Sequence, residues 1–409
     1  MSSPFPPQGA TRHAWLMLGG SFATFTVSAS FMHGYTVFLL AYIQEFHWTR
    51  AEASIAYSVS QLVGGFGSLL VGLLVDRLGT RRLVLLGGVL LGAGLVGSAM
   101  ATALWQVVVL YGVVMTMGSN CLGLVVFVPL LSRLFTRQRG MAIAITQSAS
   151  GFGRAISAPL AQLLITGLSW RTAYLVQAAA MGFLILPLAW IFRGAETGGR
   201  HAQAAPPGIP ITPTRHWTLP QAMRTSHFWL LLLVYLCTGL GSYFVSLHQL
   251  AFAVDRGFDP LYAAGVLGLG ALLAIPGIII TGMLSDIIGR ELSAILAYGV
   301  SILGVVFALF ITGPDQHLLL WLHACFFGLT WGARGPVITA TTADLFPGKN
   351  LGTILGAITI GSGLGAAIGS WCAGWIFDIS GSYHLAFMLS IASYLIGCIA
   401  FWSLRRPPA

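Results

Sequence analysis

Arg154 and Arg334 stand inside apolar runs long enough to cross a lipid bilayer. Arg154 lies fifteen residues beyond Arg139, about 22 Å along a helix at ~1.5 Å per residue. That is too deep for its head group to reach water along its own stem. An arginine at mid-span costs about 2.5–3.5 kcal/mol on insertion scales and persists where it faces a polar cavity or a partner. The chain has 11 Asp+Glu, and each maps to a loop or a helix end. With no carboxylate at mid-span, two guanidiniums are left to bind an anion from outside the chain. The competing reading is structural: both arginines bond helix carbonyls or water and hold helices together.

Other polar groups share these helices. Gln147 lies seven residues before Arg154 and Ser150 four before, so the three occupy one face. His323, Phe327, Trp331 and Arg334 repeat that spacing on a second helix. A charge flanked by aromatic rings suits a small organic anion with an apolar part, although ordinary helix packing explains Phe327 and Trp331 equally well. Asn120, His248 and His33 are further polar groups within spans, and Ser30 and Thr26 share the face of His33. Each histidine is either a ligand group or a satisfied structural one. The candidate substrate-binding set is Arg154, Arg334, His248, Asn120, His33, Gln147, Trp331 and Tyr57, with Gln61 one turn from Tyr57 as a weaker candidate. Imidazole titrates near neutral pH and is a candidate proton carrier where no acid is present. An anion carrying its own proton, or exchange of one anion for another, needs no such group.

These residues need a scaffold. The chain has 409 residues, 56% hydrophobic and 8% charged, against about 25% charged for a soluble protein. Its mean hydropathy is +0.84. The apolar runs are long and continuous rather than short and alternating, which excludes a β-barrel and indicates membrane helices. Twelve spans are expected, near 14–41, 52–75, 83–103, 105–131, 141–166, 172–192, 228–253, 262–285, 292–312, 318–343, 352–376 and 385–404. The N-terminal "MSSPFPPQGATRH" lacks the pattern of a cleaved signal, so the first span is expected to be retained. The five cysteines stand singly and predict neither a disulfide framework nor a metal site. The net charge of +9 does not indicate nucleic acid. Alternating the spans puts fifteen of the 20 Lys+Arg on one side and three on the other, with Arg154 and Arg334 left within spans. The positive-inside rule then predicts cytoplasmic termini in a cell inner (plasma) membrane.

The chain divides six spans against six. The polar stretch 193–227, rich in Gly, Pro and Ala, reads as a linker. The predicted units are a bundle at 1–193, a cytoplasmic linker at 194–227 and a second bundle at 228–409. The halves repeat. "GLLVDRLG" (72–79) matches "GMLSDIIG" (282–289) at Gly72/Gly282, Leu74/Leu284, Asp76/Asp286 and Gly79/Gly289. "SGFGRAI" (150–156) matches "SGLGAAI" (362–368) at five of seven positions, with Arg154 opposite Ala366. An alanine at the twin position shows that a small residue satisfies the fold there. Gly151 with Ala155 and Gly153 with Ser157 form small-xxx-small pairs suited to close helix contact and sliding. Six-helix halves repeated about an axis along the membrane normal are a transporter architecture.

With Gly72, Asp76, Arg77, Gly79, Arg81 and Arg82 after the second span, the chain resembles the major facilitator superfamily. Thr80 stands where that motif is usually basic. Within it, "GYTVFLLAYIQEFHWTRAEASIAYSV", "TLPQAMRTSHFWLL", "HQLAFAVDRGFDP" and "GARGPVITATTADLFPGKNLGTILG" resemble monocarboxylate transporters and the oxalate/formate antiporter-like group. The resemblance implies an all-α integral membrane protein of twelve transmembrane helices in two pseudo-symmetric six-helix bundles. It implies a cavity lined largely by helices 1, 4, 7 and 10, which favours His33, Asn120 and His248. It implies secondary transport of a small mono- or dicarboxylate by alternating access, with protons as a candidate co-substrate. It also implies a conformational latch of Gly72, Asp76, Arg77, Gly79, Arg81 and Asp286, with Asp76 brought near the start of helix 11. One departure bears on the substrate. Relatives carry an arginine in helix 8 and oxalate exchangers a lysine in helix 11, and this chain has neither. The alternatives are a multidrug or other solute exporter of the same fold, or an anion sensor that does not transport. The exporter reading lacks an intramembrane carboxylate and a Gly-Pro pair in helix 5. An enzyme is not expected, because no nucleophile–base or metal-ligand cluster is present. No cofactor, metal or nucleic-acid partner is expected, and the chain is expected to act as a monomer in the lipid bilayer.

Overall fold

In lipid an apolar chain satisfies its backbone by coiling. The computed structural model describes residues 12–135, 139–195, 217–347 and 350–404, and they are helical with short connections. Twelve helices in chain order match the expected spans, with ends that differ by a few residues in either direction. They are α1 (Arg12–Phe46), α2 (Arg50–Leu78), α3 (Thr80–Ala99), α4 (104–134), α5 (Arg139–Gly167) and α6 (Trp170–Ile191). The second six are α7 (Ser226–Asp255), α8 (Pro260–Ile287), α9 (Arg290–Leu309), α10 (317–345), α11 (Leu351–Ser380) and α12 (His384–Ser403). Ten are long and apolar enough to cross a membrane on length and composition alone. The other two are α5 and α10, the pair that carry Arg154 and Arg334. Serines, glycines and Gln147 dilute α5, and α10 is interrupted after Leu329. The N-terminal stretch, most of the expected linker, and Arg137, Lys349, Arg405 and Arg406 lie outside the described residues.

Apolar side chains cover the outside as well as the core. Phe183, Leu186, Ile287 and Ile399 are exposed on the outer surface, while Ser21, Thr24, Ser28 and Ser301 are buried. Lipid solvates large apolar side chains outside, and the interior holds small and polar residues between aromatic ones such as Tyr35, Tyr42 and Phe38. The buried hydroxyls bond carbonyls one turn back, as Ser21 does to Met17 and Thr24 to Gly20. Helix starts are capped where the chain turns. The Thr49 hydroxyl accepts from the Glu52 N–H at 3.2 Å while the Glu52 carboxylate accepts from the Thr49 N–H at 2.9 Å. Asp259 caps α8 on the Tyr262 N–H at 2.7 Å.

The repeat seen in the sequence recurs in the packing. Within the first half α5 packs on α1; within the second, α11 packs on α7. A Cβ on Gly153 would sit 2.6 Å from the Thr26 carbonyl on α1, and one on Gly239 would sit 2.6 Å from the Ser362 carbonyl on α11. The halves meet along two seams, α2 against α11 and α5 against α8. On the second seam a Cβ on Gly268 would lie 2.5 Å from the Ala155 carbonyl. Gly79 and Gly289, the closing glycines of the repeated motif, both take positive φ, 79° and 93°. Only glycine adopts that geometry without strain, and each turn sends the chain straight into the next helix.

Candidate functional site

Four helices lose their regular backbone at one level, and each break adjoins the same cavity. The α1 helix is interrupted at Gly34, just after His33. In α7 the regular helix ends at Ser246 and resumes at Gln249. A turn at Leu273 divides α8, two residues past Ala271. In α10 residues 330–333 separate two segments, with Gly332 at φ 74°. His33, Ser246, Gln249, Ala271 and Trp331 all line one cavity with Arg154 and Tyr57. Interrupted membrane helices expose backbone polar groups that intact helices hide, and such backbone is tolerated where it lines a cavity.

Arg154 projects from α5 into this space. Its guanidinium carbon lies 3.8 Å above the Trp331 ring, a cation–π contact. Its Nη1 is buried and has no hydrogen-bond partner. Arg154, Gln249 and Trp331 border both a cavity of about 40 Å³ and a smaller one of about 20 Å³. The larger holds on the order of three waters at ~10–15 Å³ each, or one small polar group. Trp331 meets Tyr243 edge to face at 5.3 Å, and Tyr243 lies 6.0 Å from Tyr57, so aromatic rings wall the charge. No carboxylate lines either cavity among the described residues. A buried guanidinium with a free N–H edge, one face stacked on an indole and no counter-ion, is suited to receive an anion.

The expected site residues do not all converge. His33, Tyr57, Trp331 and Arg154 share the cavity. Arg334 lines neither cavity and is 2% exposed. It donates to Ser301 Oγ at 2.6 Å, the Ala297 carbonyl at 3.3 Å and Ser242 Oγ at 3.4 Å. The Tyr298 and Tyr394 rings flank it at 4.9 and 4.8 Å. These partners belong to α7, α9 and α12, so Arg334 ties the second half together. Asn120 donates to the Gly64 carbonyl at 3.1 Å and joins α4 to α2. Gln147 is exposed, two turns from Arg154 and beyond the cavity lining. In the motif region Asp286 pairs with Arg290 at 2.7 Å, and Arg290 reaches Asp344 at 3.4 Å. Gly72 is half-buried, Arg77 is exposed, Arg81 is half-buried with its Nε unpartnered, and the Asp76 side chain lies outside those described.

His248 is fully buried in a network at the end of the bundle opposite the start of α1 and the end of α12. Its Nε2 meets the Ser370 carbonyl at 3.0 Å and Ser54 Oγ at 3.2 Å; its Nδ1 meets the Tyr383 hydroxyl at 3.2 Å. A carbonyl only accepts, so Nε2 carries the proton and Nδ1 accepts from Tyr383. Arg50 donates to the Tyr383 oxygen at 2.5 Å and to Asp255 at 2.8 Å, and its guanidinium stacks 4.0 Å from the Phe377 ring. The Asp378 carboxylate accepts from the Arg50 and Ala51 N–H groups at 2.8 Å each. A side chain of the second half thus caps the first turn of α2 in the first half. A Cβ on Gly374 would strike the Arg50 backbone at 2.7 Å, so the helices are closed there.

Sequence reasoning missed Ser246 and Gln249 in the cavity, Tyr243 in the aromatic wall behind Trp331, and Arg50, Asp255, Asp378 and Tyr383 at the closed end. Tyr243, Ser246 and Gln249 recur at a spacing of three along α7, a faint signal inside an apolar run. The ionic cluster draws on residues up to 333 positions apart and leaves no local trace.

The Major Facilitator Superfamily profile matches residues 17–336. Monocarboxylate transporter 13 of Bos taurus is 26% identical over 401 residues, covering 96% of this chain and 89% of that protein. The uncharacterized MFS-type transporter YcxA of Bacillus subtilis (strain 168) is 23% identical over 377 residues, 91% of each chain. The crystal structure of the nucleoside transporter NupG superposes with a TM-score of 0.74 at 11% identity, over 97% of this chain and 100% of that one.

Proposed function

The chain belongs to the major facilitator superfamily, and on that premise we propose that it is a secondary carrier of a small organic anion, a mono- or dicarboxylate, bound at Arg154. The observation that carries this reading is the buried, partnerless Nη1 of Arg154 in a cavity where four helices are broken. A carboxylate there accepts from the guanidinium edge while Trp331 holds its plane. His33 and Tyr57 offer further polar contacts, and the aromatic wall takes an apolar substituent. Arg334 and Asn120 organise their own halves. The names of the relatives support a carboxylate, and the multi-pass membrane setting follows from the family.

Alternating access supplies the cycle. The closed end holds the substrate from one side, and the α2–α11 and α5–α8 seams are the lines along which the halves rock. The division at 1–193, 194–227 and 228–409, cytoplasmic termini, the latch of Gly72, Asp76, Arg77, Gly79, Arg81 and Asp286, and proton coupling through His33 or the substrate itself belong to this proposal. Purified protein is screened by thermal shift against small mono- and dicarboxylates, since a ligand of the folded state raises apparent stability. Stabilising compounds are then followed into proteoliposomes. Saturable uptake is expected; stabilisation by organic cations and indifference to carboxylates would overturn the reading.

A further inference from the structure

The interruption of α7 holds two kinds of group within four residues. Ser246 and Gln249 face the Arg154 cavity. Ser246 Oγ is buried without a partner, although a buried hydroxyl at the end of a helix commonly bonds a carbonyl one turn back. Gln249 borders both cavities that Arg154 borders. Between them His248 points the other way, into the closed end, with bonds to Ser54 of the first half and to Tyr383, which immediately precedes α12. From Tyr383 the chain of bonds runs to Arg50 and on to Asp255.

We propose that Ser246 and Gln249 are the second half's ligand-binding groups, facing Arg154 of the first, and that His248 between them passes their engagement to the closed end. The inference rests on the reading that the anion binds at Arg154. An anion on Arg154 brings acceptor oxygens to a cavity whose other wall offers an unused hydroxyl and a carboxamide. Donation from both halves to one ligand draws Ser246 and Gln249 towards α5. No regular helical turn spans residues 246–249, so this motion is taken up at Leu247 and His248. His248 then withdraws from Ser54 and Tyr383, and Arg50 loses the alignment that holds Asp255. The same anion that occupies the site thereby loosens the barrier beyond it, as exchange between two open states requires.

The gate has a built-in reporter. The Arg50 and Ala51 amides are first-turn groups of α2 that lack carbonyl partners in their own helix and are held by Asp378 across the seam. Their hydrogen exchange reads the closure of that end. The full chain in detergent or nanodiscs is compared by exchange mass spectrometry over residues 49–57, with sodium acetate, lactate, benzoate and succinate as separate probes. Ser246→Ala and Gln249→Ala should each weaken the probe's thermal-shift affinity about three- to tenfold, the loss of one neutral hydrogen bond. In the wild type a bound probe should raise exchange at 49–57. The double variant, at matched occupancy, should show no such rise. His248→Gln should raise exchange at 49–57 with no probe present, which tests the gate arm without a ligand. Unchanged exchange in His248→Gln overturns the proposal, as does wild-type affinity in the Ser246→Ala/Gln249→Ala protein. Probe binding that survives Arg154→Ala overturns the parent reading of the site and this inference with it, whereas loss there with full binding in the double variant overturns this inference alone.

Discussion

Arg154 and Arg334 carry the same charge in opposite surroundings. Arg334 spends both its Nη groups on Ser301, Ala297 and Ser242 between two tyrosine rings and leaves only its buried Nε unpartnered, away from either cavity, whereas Arg154 keeps Nη1 free beside Trp331 at the cavity. The depth of both was legible in the sequence, and so was the absence of a mid-span carboxylate. Their difference was not. Spacing alone puts Trp331 and Arg334 on one helical face, but the break at Gly332 sends Trp331 to the cavity and Arg334 into the second half. Arg334→Ala should therefore lower the melting temperature, because it strands buried acceptors and opens a void. Anion affinity of the protein that remains folded should be unchanged. Paired thermal-unfolding and binding measurements check this, and a large affinity loss with wild-type stability would return Arg334 to the site.

At the level of helices, the repeat was read correctly for a physical reason. Gly153 and Gly365 are conserved between the halves because each lets another backbone approach, Gly153 towards α1 and Gly365 towards α7. A Cβ at Gly153 would lie 2.6 Å from the Thr26 carbonyl and 2.7 Å from the Ala29 Cβ, while one at Gly167 on the same helix meets nothing within 4 Å. Gly153→Ala should destabilise by about 1–3 kcal/mol through overpacking, and Gly167→Ala should not. Thermal melts of the two variants decide it. The breaks in α8 and α10 carry a proline signal that sequence reasoning did not use, and the break in α7 carries none. Pro276 and Pro336 stand in the first turn after the α8 and α10 breaks and withhold the N–H that would bond Leu272 and Gly332, while glycine is too frequent here, at 51 residues, to mark a break. The α7 break at Leu247–His248 has neither residue type and is pinned by bonds from His248 to α2, to α11 and to Tyr383 just before α12. The α7 break is a tertiary event, and local propensity does not encode it.

For the whole molecule, twelve spans, two halves and the family were all legible from hydropathy, repeat and motif. The closed end was not, because Arg50, Asp255, Asp378 and Tyr383 come from four separate loops and helix ends. We propose its side of the membrane from the fifteen-to-three distribution of basic residues, which predicts residues 255–259 outside the cell. A membrane-impermeant thiol reagent should label Asp259→Cys in intact cells; labelling only after permeabilisation would invert the topology. The account as a whole depends on Arg154 meeting an anion between the halves. The most direct test is calorimetric titration of the best carboxylate from the thermal-shift screen into wild-type, Arg154→Ala and Arg154→Lys protein. Arg154→Ala should fold, since its repeat twin is Ala366. It should lose about ten- to a hundredfold in affinity, the worth of one charge-assisted hydrogen bond. Arg154→Lys should recover only part, since an ammonium cannot stack and donate in one plane. Wild-type affinity in well-folded Arg154→Ala protein would contradict the central claim.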